Sequence, residues 1–381
     1  MITKIKLSII EAGTVGLNFA YTFLKLLPTR KKVTMLSRQS NIPSDEFRMI
    51  KKGINLRDES VKVVFLCHTL DGGVNSSLGD KIKYGLHMFV QMFHIATSKV
   101  VILDSYCMAV SILNHKKSLK VIQMWHSMGT MKKFGYTALD TKEGSKSELA
   151  CVMKMHRNYD YIFASAESYK DHLAKGFDCE KEKILTMPLP RLDLLNSEKY
   201  GKKVRNRIYQ EYPKLQEKPL ILYCPTFRKE EEDFMQALKR LTCAVDYDKF
   251  NFVVKLHPLS KAEVEEPAVS ADGFTSFEML FAADYVISDY SCIVYEAAVR
   301  GIPLYFYDFD MDLYSDGRGL ALDYEKEVPG PISKDAKEII AAIETKEYDL
   351  EALKRYADKY VTPVKHATKD IVDFVFTLMN E

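Results

Sequence analysis

From Lys32 onward, short runs of aliphatic and β-branched residues alternate with polar stretches of helical length. That pattern predicts an alternating β/α chain. The runs at 33–36, 61–66, 100–103, 121–124, 161–164 and 184–187 are the expected strands of a first half. Those at 220–223, 252–256, 285–287 and 304–307 belong to a second. Between them, 190–219 is charged and helical in character with no long apolar run, which makes it the natural divide. Beyond about Asp335 the spacing is helical with few turn signals, so closing helices are expected. The division expected on this pattern is an N-terminal helix over 1–31, α/β domains over 32–195 and 196–345, and closing helices over 346–381.

The N-terminal segment follows a different rule. Only Lys6, Glu11 and Lys25 carry charge between Ile5 and Pro28, so the stretch could pass for a membrane span or a signal peptide. Glu11 inside it and the lack of a small-residue cleavage site fit a removed signal poorly. Ile2, Ile5, Ile9, Ala12, Gly16, Phe19, Phe23 and Leu26 fall on one helical stripe, and Arg30-Lys31-Lys32 follows directly. Two readings stand: an amphipathic helix lying in a membrane interface with its basic end on anionic headgroups, or a core helix. Glu11 to Gly16 lacks both a preceding strand and the glycine spacing of a nucleotide loop.

Hydrophobic residues make up 47% and charged residues 28% of the 381 positions, which excludes a disordered chain and suffices for two ordinary cores. Fifty-four Lys and Arg face 52 Asp and Glu, so a protein that coats a polyanion is not expected, nor a nucleic-acid partner. Seven scattered cysteines, with no C-x-x-C pair and no histidine at zinc spacing, predict reduced thiols in a cytosolic protein.

Chemistry gathers where the strands end. Ser37-Arg38, His68, Asp104-Ser105, His126, Ser165, Arg191, Thr226 with Arg228, His257, Ser288-Asp289 and Asp308 all follow apolar runs. In open parallel sheets, ligands bind outside the carboxyl ends of the strands, so two Rossmann-like domains facing across a cleft would converge these groups. Lys255-Leu256-His257-Pro258 sets a histidine at a strand end with a proline fixing the exit; a structural histidine is the other reading. In Gln123 to Gly135, the only tryptophan, Trp125, precedes His126, and Lys132-Lys133 follows. A near-neutral histidine there can deprotonate a hydroxyl and the lysines can meet phosphates; otherwise Trp125 is core and the lysines a solvated face. Ser288-Asp289-Tyr290-Ser291 runs from a strand into a helix beginning near Ser291, an anion site with Glu296 in reach of ribose, or plain capping by Ser291.

These residues carry a resemblance. Trp125-His126 with Gly129 and Lys132-Lys133, Cys224-Pro225-Thr226-Phe227-Arg228, Leu256-His257-Pro258 and Ser288-Asp289-Tyr290-Ser291 with Glu296 resemble the CDP-glycerol glycerophosphotransferase family of wall teichoic acid synthesis. So do Arg318-Gly319, Asp323-Tyr324-Glu325, Pro329-Gly330-Pro331, Ser37 to Asn41 and Pro188 to Asp193, so the similarity covers nearly the whole chain after the N-terminal helix. Cys292 stands where the family commonly has a second serine, and Ser127 where it often has glycine; neither change removes a titratable group.

The resemblance implies a GT-B-like α/β fold, with the acceptor domain first and the CDP-alcohol domain second. It implies transfer of glycerol phosphate from CDP-glycerol to the N-acetylmannosamine end of an undecaprenyl-diphosphate-linked disaccharide, releasing CMP. His126 would be the base, with His257 and Arg228 on the donor diphosphate. Thr226, Ser288, Asp289, Ser291 and Glu296 would hold the donor, and Lys132, Lys133, Arg38 and Arg191 the acceptor. No cofactor and no metal is expected: Asp308-Phe309-Asp310 has the spacing of a sugar-transferase metal motif but reads as a loop. Further partners implied are an anionic membrane surface, at the cytoplasmic face of the bacterial membrane, and other teichoic acid enzymes. Chain-extending polymerases of the family carry a long extra N-terminal region, which favours a primase. A ribitol-phosphate or capsule transferase is the alternative within the family, and a non-catalytic nucleotide-binding scaffold the alternative outside it.

Overall fold

Every aliphatic run singled out above forms a strand in the computed structural model, which describes residues 4–69, 77–142, 144–312, 317 and 319–381. Arg318 and the stripe residue Ile2 lie outside the described residues. The chain divides into two units. Unit 1 comprises Met1–Ser127, Phe134–Leu192 and Val364–Glu381, and unit 2 comprises Met128–Lys133 and Asp193–Pro363. The divide thus falls after Leu192. The closing segment expected as one piece is shared, with helix Leu350–Tyr360 in unit 2 and helix Ala367–Asn380 in unit 1.

Unit 1 is built on β1 (Lys32–Ser37), β2 (Lys62–Cys67), β3 (Val100–Leu103), β4 (Lys120–Gln123), β5 (Tyr161–Ala164) and β6 (Ile184–Thr186). They form one parallel sheet in the order β2-β1-β3-β4-β5-β6. Val33, Met35, Val101, Ile102 and Ile122 are at or near zero exposure, because interior parallel strands are covered on both faces and so read as continuous apolar runs. The strand order reverses between β1 and β3, the topological switch point at which such sheets take ligands.

Unit 2 has β7 (Leu220–Cys224), β8 (Asn251–Val254), β9 (Tyr285–Ser288), β10 (Leu304–Tyr307) and β11 (Ile332–Ser333), again all parallel, in the order β11-β10-β9-β7-β8. Its switch point lies between β7 and β9. The two-residue β11 had no signal of its own, coming straight after Pro329-Gly330-Pro331.

Helix α1 (Lys4–Leu24) is held to unit 1 by a polar seam. Asn18 Nδ2 donates to the Ile112 carbonyl at 2.9 Å, its Oδ1 accepts from the Asn114 N–H at 2.8 Å, and the Tyr21 hydroxyl meets His115 Nδ1 at 3.0 Å. The stripe points the other way: Ile5, Ile9, Phe19, Phe23 and Leu26 are 59–80% exposed. The core-helix reading of that stripe is thereby corrected. The face that packs carries Asn18 and Tyr21, not the apolar row. Two further helices of unit 1 are α2 (Asp45–Arg57) and α3 (Leu78–Ala96). Helix Ala367–Asn380 packs on α2, with an Arg57–Asp373 ion pair and the Arg57 guanidinium 4.4 Å from the Phe376 ring centroid. The approach is close enough that a Cβ at Gly53 would lie 2.8 Å from Val372 Cγ2, so a larger residue there would force Val372 to shift.

Candidate functional site

In unit 1, the chain leaves β4 through a turn pinned by a buried amide. Gln123 Oε1 accepts from the Trp125 N–H at 3.0 Å and its Nε2 donates to the Ser105 carbonyl at 3.3 Å. Trp125 has φ 67°, the left-handed region that bulky residues avoid, and its ring packs on Phe134 and Phe177 at 4.9 and 5.2 Å. A backbone of that kind costs about 1–3 kcal/mol and persists where the surroundings over-determine it. The next side chain is His126, whose Nδ1 lies 3.1 Å from the Asp104 carbonyl oxygen at the end of β3. A carbonyl can only accept, so Nδ1 carries the proton and Nε2 keeps its lone pair. Desolvation, reinforced by the nearby Arg191 charge and opposed by the Asp104 bond, holds the His126 pKa below its ordinary value. The neutral imidazole, with its proton on Nδ1, is in the tautomer a general base needs.

Neighbouring side chains fix this arrangement. Arg191 Nε donates to Glu46 Oε1 at 2.6 Å and its Nη2 to the His126 carbonyl at 3.2 Å. Glu46, 8% exposed on α2, stays ionised against its burial because Arg191 and hydrogen bonds hold its pKa down. Ser105 Oγ donates to Asp104 Oδ1 at 2.8 Å and accepts the Arg38 N–H at 3.0 Å. Asp104 is 4% exposed, and burial pushes its carboxyl up to about 6.

In unit 2, the ends of β7 and β9 are tied together at the switch point. Ser288 Oγ donates to the Cys224 carbonyl at 2.7 Å. Asp289 accepts the Thr226 N–H at 2.9 and 3.1 Å, the Tyr290 N–H at 2.6 Å and Arg228 Nη1 at 2.5 Å. The other edge of the guanidinium grips Asp310 through Nε and Nη2 at 2.9 and 2.8 Å, and the Arg228 group lies over the rings of Tyr290 and Phe309 at 5.5 and 5.1 Å. These contacts present the Thr226 hydroxyl, to which Lys132 Nζ donates at 3.1 Å. Lys132 belongs here because segment 128–133 pairs with 319–321: Lys133 N–H donates to the Gly319 carbonyl at 3.1 Å and Ala321 N–H to that of Met131 at 2.8 Å. Gly319 sits at φ 78°, where glycine alone is unstrained.

His257 follows β8, its ring 5.2 Å from that of Phe227. Its Nδ1 accepts the Leu259 N–H at 3.2 Å, so the proton of the neutral ring is on Nε2. Desolvation, then the positive charge of Lys132, lowers its pKa. This imidazole is a neutral hydrogen-bond donor, the opposite of His126. Lys255 does not join it; its ammonium is spent on the carbonyls of Ser270 and Ala271 at 3.0 and 2.9 Å.

Of the residues singled out in the sequence, Lys132, Thr226 and His257 come together in unit 2, and Ser291 is half-buried beside the same switch point. Ser291 does not cap the following helix, Ile293–Val299; the cap position is Cys292 and no side-chain bond is made there. Ser288 and Asp289 are at 0% exposure and Glu296 at 2%, which leaves a ligand almost no surface on them. Arg228, with a side chain 9% exposed, is a clamp between two carboxylates rather than a group facing a diphosphate. Lys132, expected on the acceptor side, lies in unit 2; Lys133 is exposed in the same segment. Arg191 in unit 1 is spent on Glu46 and the His126 backbone, and Arg38 lies at the switch point. The sequence reading missed the parts of Asp104, Gln123 and Glu46. A polar strand end was the one signal for Asp104.

Comparison with known proteins agrees with this layout. The family profile of CDP-glycerol:poly(glycerophosphate) glycerophosphotransferase matches residues 19–377. The teichoic acid ribitol-phosphate primase of Bacillus spizizenii is 30% identical over 374 residues, 94% of this chain and 95% of that protein. The teichoic acid glycerol-phosphate primase of Bacillus subtilis is 28% identical over 293 residues, 73% of each. Among solved structures, the wall teichoic acid polymerase TagF superposes with a TM-score of 0.74 at 18% identity, over 99% of this chain and 97% of that one, which gives the expected GT-B-like fold. With the family profile running from α1 to the last helix, the chain is a member of the CDP-glycerol:poly(glycerophosphate) glycerophosphotransferase family.

Proposed function

We propose that this protein transfers an alditol phosphate, glycerol or ribitol, from its CDP ester to a hydroxyl of an undecaprenyl-diphosphate-linked disaccharide, acting as a primase of teichoic acid synthesis. The observation that carries the reading is the pair of opposed tautomers. His126 Nε2 takes the proton of the acceptor hydroxyl as that oxygen attacks the alditol-bearing phosphorus. The bond from that phosphorus to the bridging oxygen breaks and CMP leaves. His257 Nε2–H, the Lys132 ammonium and the Thr226 hydroxyl stabilise charge on the diphosphate, the main catalytic demand of phosphoryl transfer. A nucleotide-binding scaffold has no need of a base held in one tautomer.

The sequence pointed to glycerol as the donor alcohol. A ribitol donor draws support from the end-to-end alignment with a ribitol-phosphate primase. Incubation with CDP-glycerol or CDP-ribitol and a short-chain lipid disaccharide, with CMP release and the mass of the product followed, tests both. No CMP from either donor overturns the proposal; the added mass identifies the alcohol and the number of units.

Peripheral attachment at the cytoplasmic membrane face is part of the same proposal. It is supported by α1, whose 18-residue window Leu7–Leu24 is long and apolar enough for a membrane yet tied alongside unit 1 by Asn18 and Tyr21. An in-plane helix offering Ile5, Ile9, Phe19 and Phe23 to acyl chains suits an enzyme whose acceptor is lipid-anchored.

A further inference from the structure

Among the described residues, a group of cationic and hydrogen-bonding side chains at the other end of the unit 1 switch region has no anionic partner. Arg38 follows β1 and His68 follows β2; these strands are adjacent and parallel, with Ser37 opposite Cys67 and the His68 N–H donating to the Ser37 carbonyl at 3.1 Å. From α3, Tyr84 and His87 cover them. The His68 ring lies 4.9 Å from His87 and 6.0 Å from Tyr84, and the Arg38 guanidinium is 5.9 Å from the Tyr84 centroid. Arg38 Nη1 makes one long bond, 3.4 Å, to the Tyr106 carbonyl. Arg38 Nε and His87 Nε2 are buried with no hydrogen-bond partner among the described residues, and no carboxylate among them pairs with Arg38.

A half-buried guanidinium without a counter-ion is costly unless a ligand supplies the charge. The fork of Arg38 and the imidazole nitrogens of His68 and His87 are donors suited to the oxygens of a phosphate or diphosphate. Position supports that choice. The strand order β2-β1-β3-β4 puts His126, at the end of β4, two strands from Arg38 and three from His68. At one strand spacing each, that is roughly 10 to 15 Å, the reach of a disaccharide. The outer face of α3 leaves Ile82, Leu86, Phe89 and Val90 46–64% exposed, so the helix over the cluster is itself apolar on its far side.

We propose that Arg38, His68, Tyr84 and His87 form the subsite for the acceptor's diphosphate, so that its sugars reach from there to His126. This rests on the proposed transferase reading and names the part of the acceptor that unit 1 recognises. Two measurements on the full chain test it. In the first, kcat/KM is compared for a disaccharide carrying a short alkyl diphosphate and for the same disaccharide with a neutral alkyl aglycone. Wild type should prefer the diphosphate, and Arg38→Gln and, independently, His68→Ala should each reduce that preference about 10- to 100-fold, the scale of losing charge-assisted hydrogen bonds. Arg38→Lys, which keeps the charge without the fork, should recover part of it. In the second, inorganic pyrophosphate should shift the imidazole C2-proton NMR signals of His68 and His87, and the shift should vanish in Arg38→Gln. An unchanged preference in both variants overturns the subsite, as does a loss of binding to phosphatidylglycerol vesicles without a change in preference, which would make the ligand a lipid headgroup. If wild type transfers to neither acceptor, the transferase reading fails, and the pyrophosphate titration still decides the anion site.

Discussion

Replacing Arg228 separates two roles that the sequence could not tell apart. In the structure its guanidinium is spent on Asp289, at 0% exposure, and on Asp310, whose side chain is 10% exposed. Arg228→Met keeps the apolar stem and removes the charge, so both carboxylates lose their cation and the stacked rings of Tyr290 and Phe309 lose their partner. Breaking a buried pair from one side costs about 3–5 kcal/mol. For a unit of this size each kcal/mol lowers Tm by about 2–4 °C, so the transition of unit 2 should fall by roughly 6–20 °C. Trp125, the sole tryptophan, is in unit 1, so its fluorescence follows the wrong half. Scanning calorimetry, which records both transitions, is the suitable assay. Adding Asp310→Asn to Arg228→Met should return part of the loss, because one uncompensated carboxylate is gone; the coupling should be about 1–3 kcal/mol. A Tm lowered by less than about 2 °C, together with a rise of tenfold or more in the KM for the CDP-alditol, would refute the clamp and put Arg228 on the donor diphosphate.

Further outcomes are expected at four places in the structure. His126→Ala should reduce turnover by about 10² to 10⁴ while CDP-alditol binding by calorimetry is retained. Because the His126 pKa is lowered, the base stays unprotonated as pH falls, and the acid limb of kcat/KM for the acceptor should lie below pH 6.5; a limb above it would be the wrong sign. The Asp104 carboxyl is raised to about 6, so the fold loses stability as pH rises from the ordinary carboxylate range through that value. Asp104→Asn should then stabilise unit 1 at pH 7 by up to about 3 kcal/mol and flatten its denaturation profile between pH 4 and 6, with the His126–carbonyl bond intact. Phe19→Glu with Phe23→Glu, on side chains 69% and 59% exposed, should lower sedimentation with anionic vesicles and leave Tm unchanged; a Tm collapse would mean that these rings pack inside the protein. Ser291→Ala should weaken CDP-alditol binding by about 1–2 kcal/mol in the same titration, and no change would remove it from the donor site.

The strands were legible because parallel strands covered on both faces leave an unbroken apolar run bounded by polar residues. The positions of His126 and His257 were legible for a related reason: both stand where such a run stops. Their chemistry was not, since it depends on whether Nδ1 faces a carbonyl or an N–H. For His126 the answer is Asp104, 22 residues back; for His257 it is Leu259, two residues on. Arg228 and Asp289 misled for a different reason. Charged residues next to a strand end look the same whether they face a ligand or one another, and the partner of Arg228 at Asp310 is 82 residues distant. The N-terminal stripe shows the reverse failure: periodicity revealed the helix and its apolar row but not which side would be covered, because the side that packs does so through Asn18 and Tyr21.

The last helix, Ala367–Asn380, has a consequence for how the protein is made. The face of α2 around Gly53 and Arg57 is completed by residues that the ribosome adds only after all of unit 2. From Leu192 to Glu381 there are 189 residues still to be added. At about 5–20 residues per second that is roughly 10 to 40 s during which unit 1 holds an uncovered helix face in addition to the exposed apolar row of α1. The half that carries His126 is thus begun before unit 2 and completed after it. A nascent chain released early would present two sticky surfaces, and chaperones or the membrane itself would meet unit 1 in that interval.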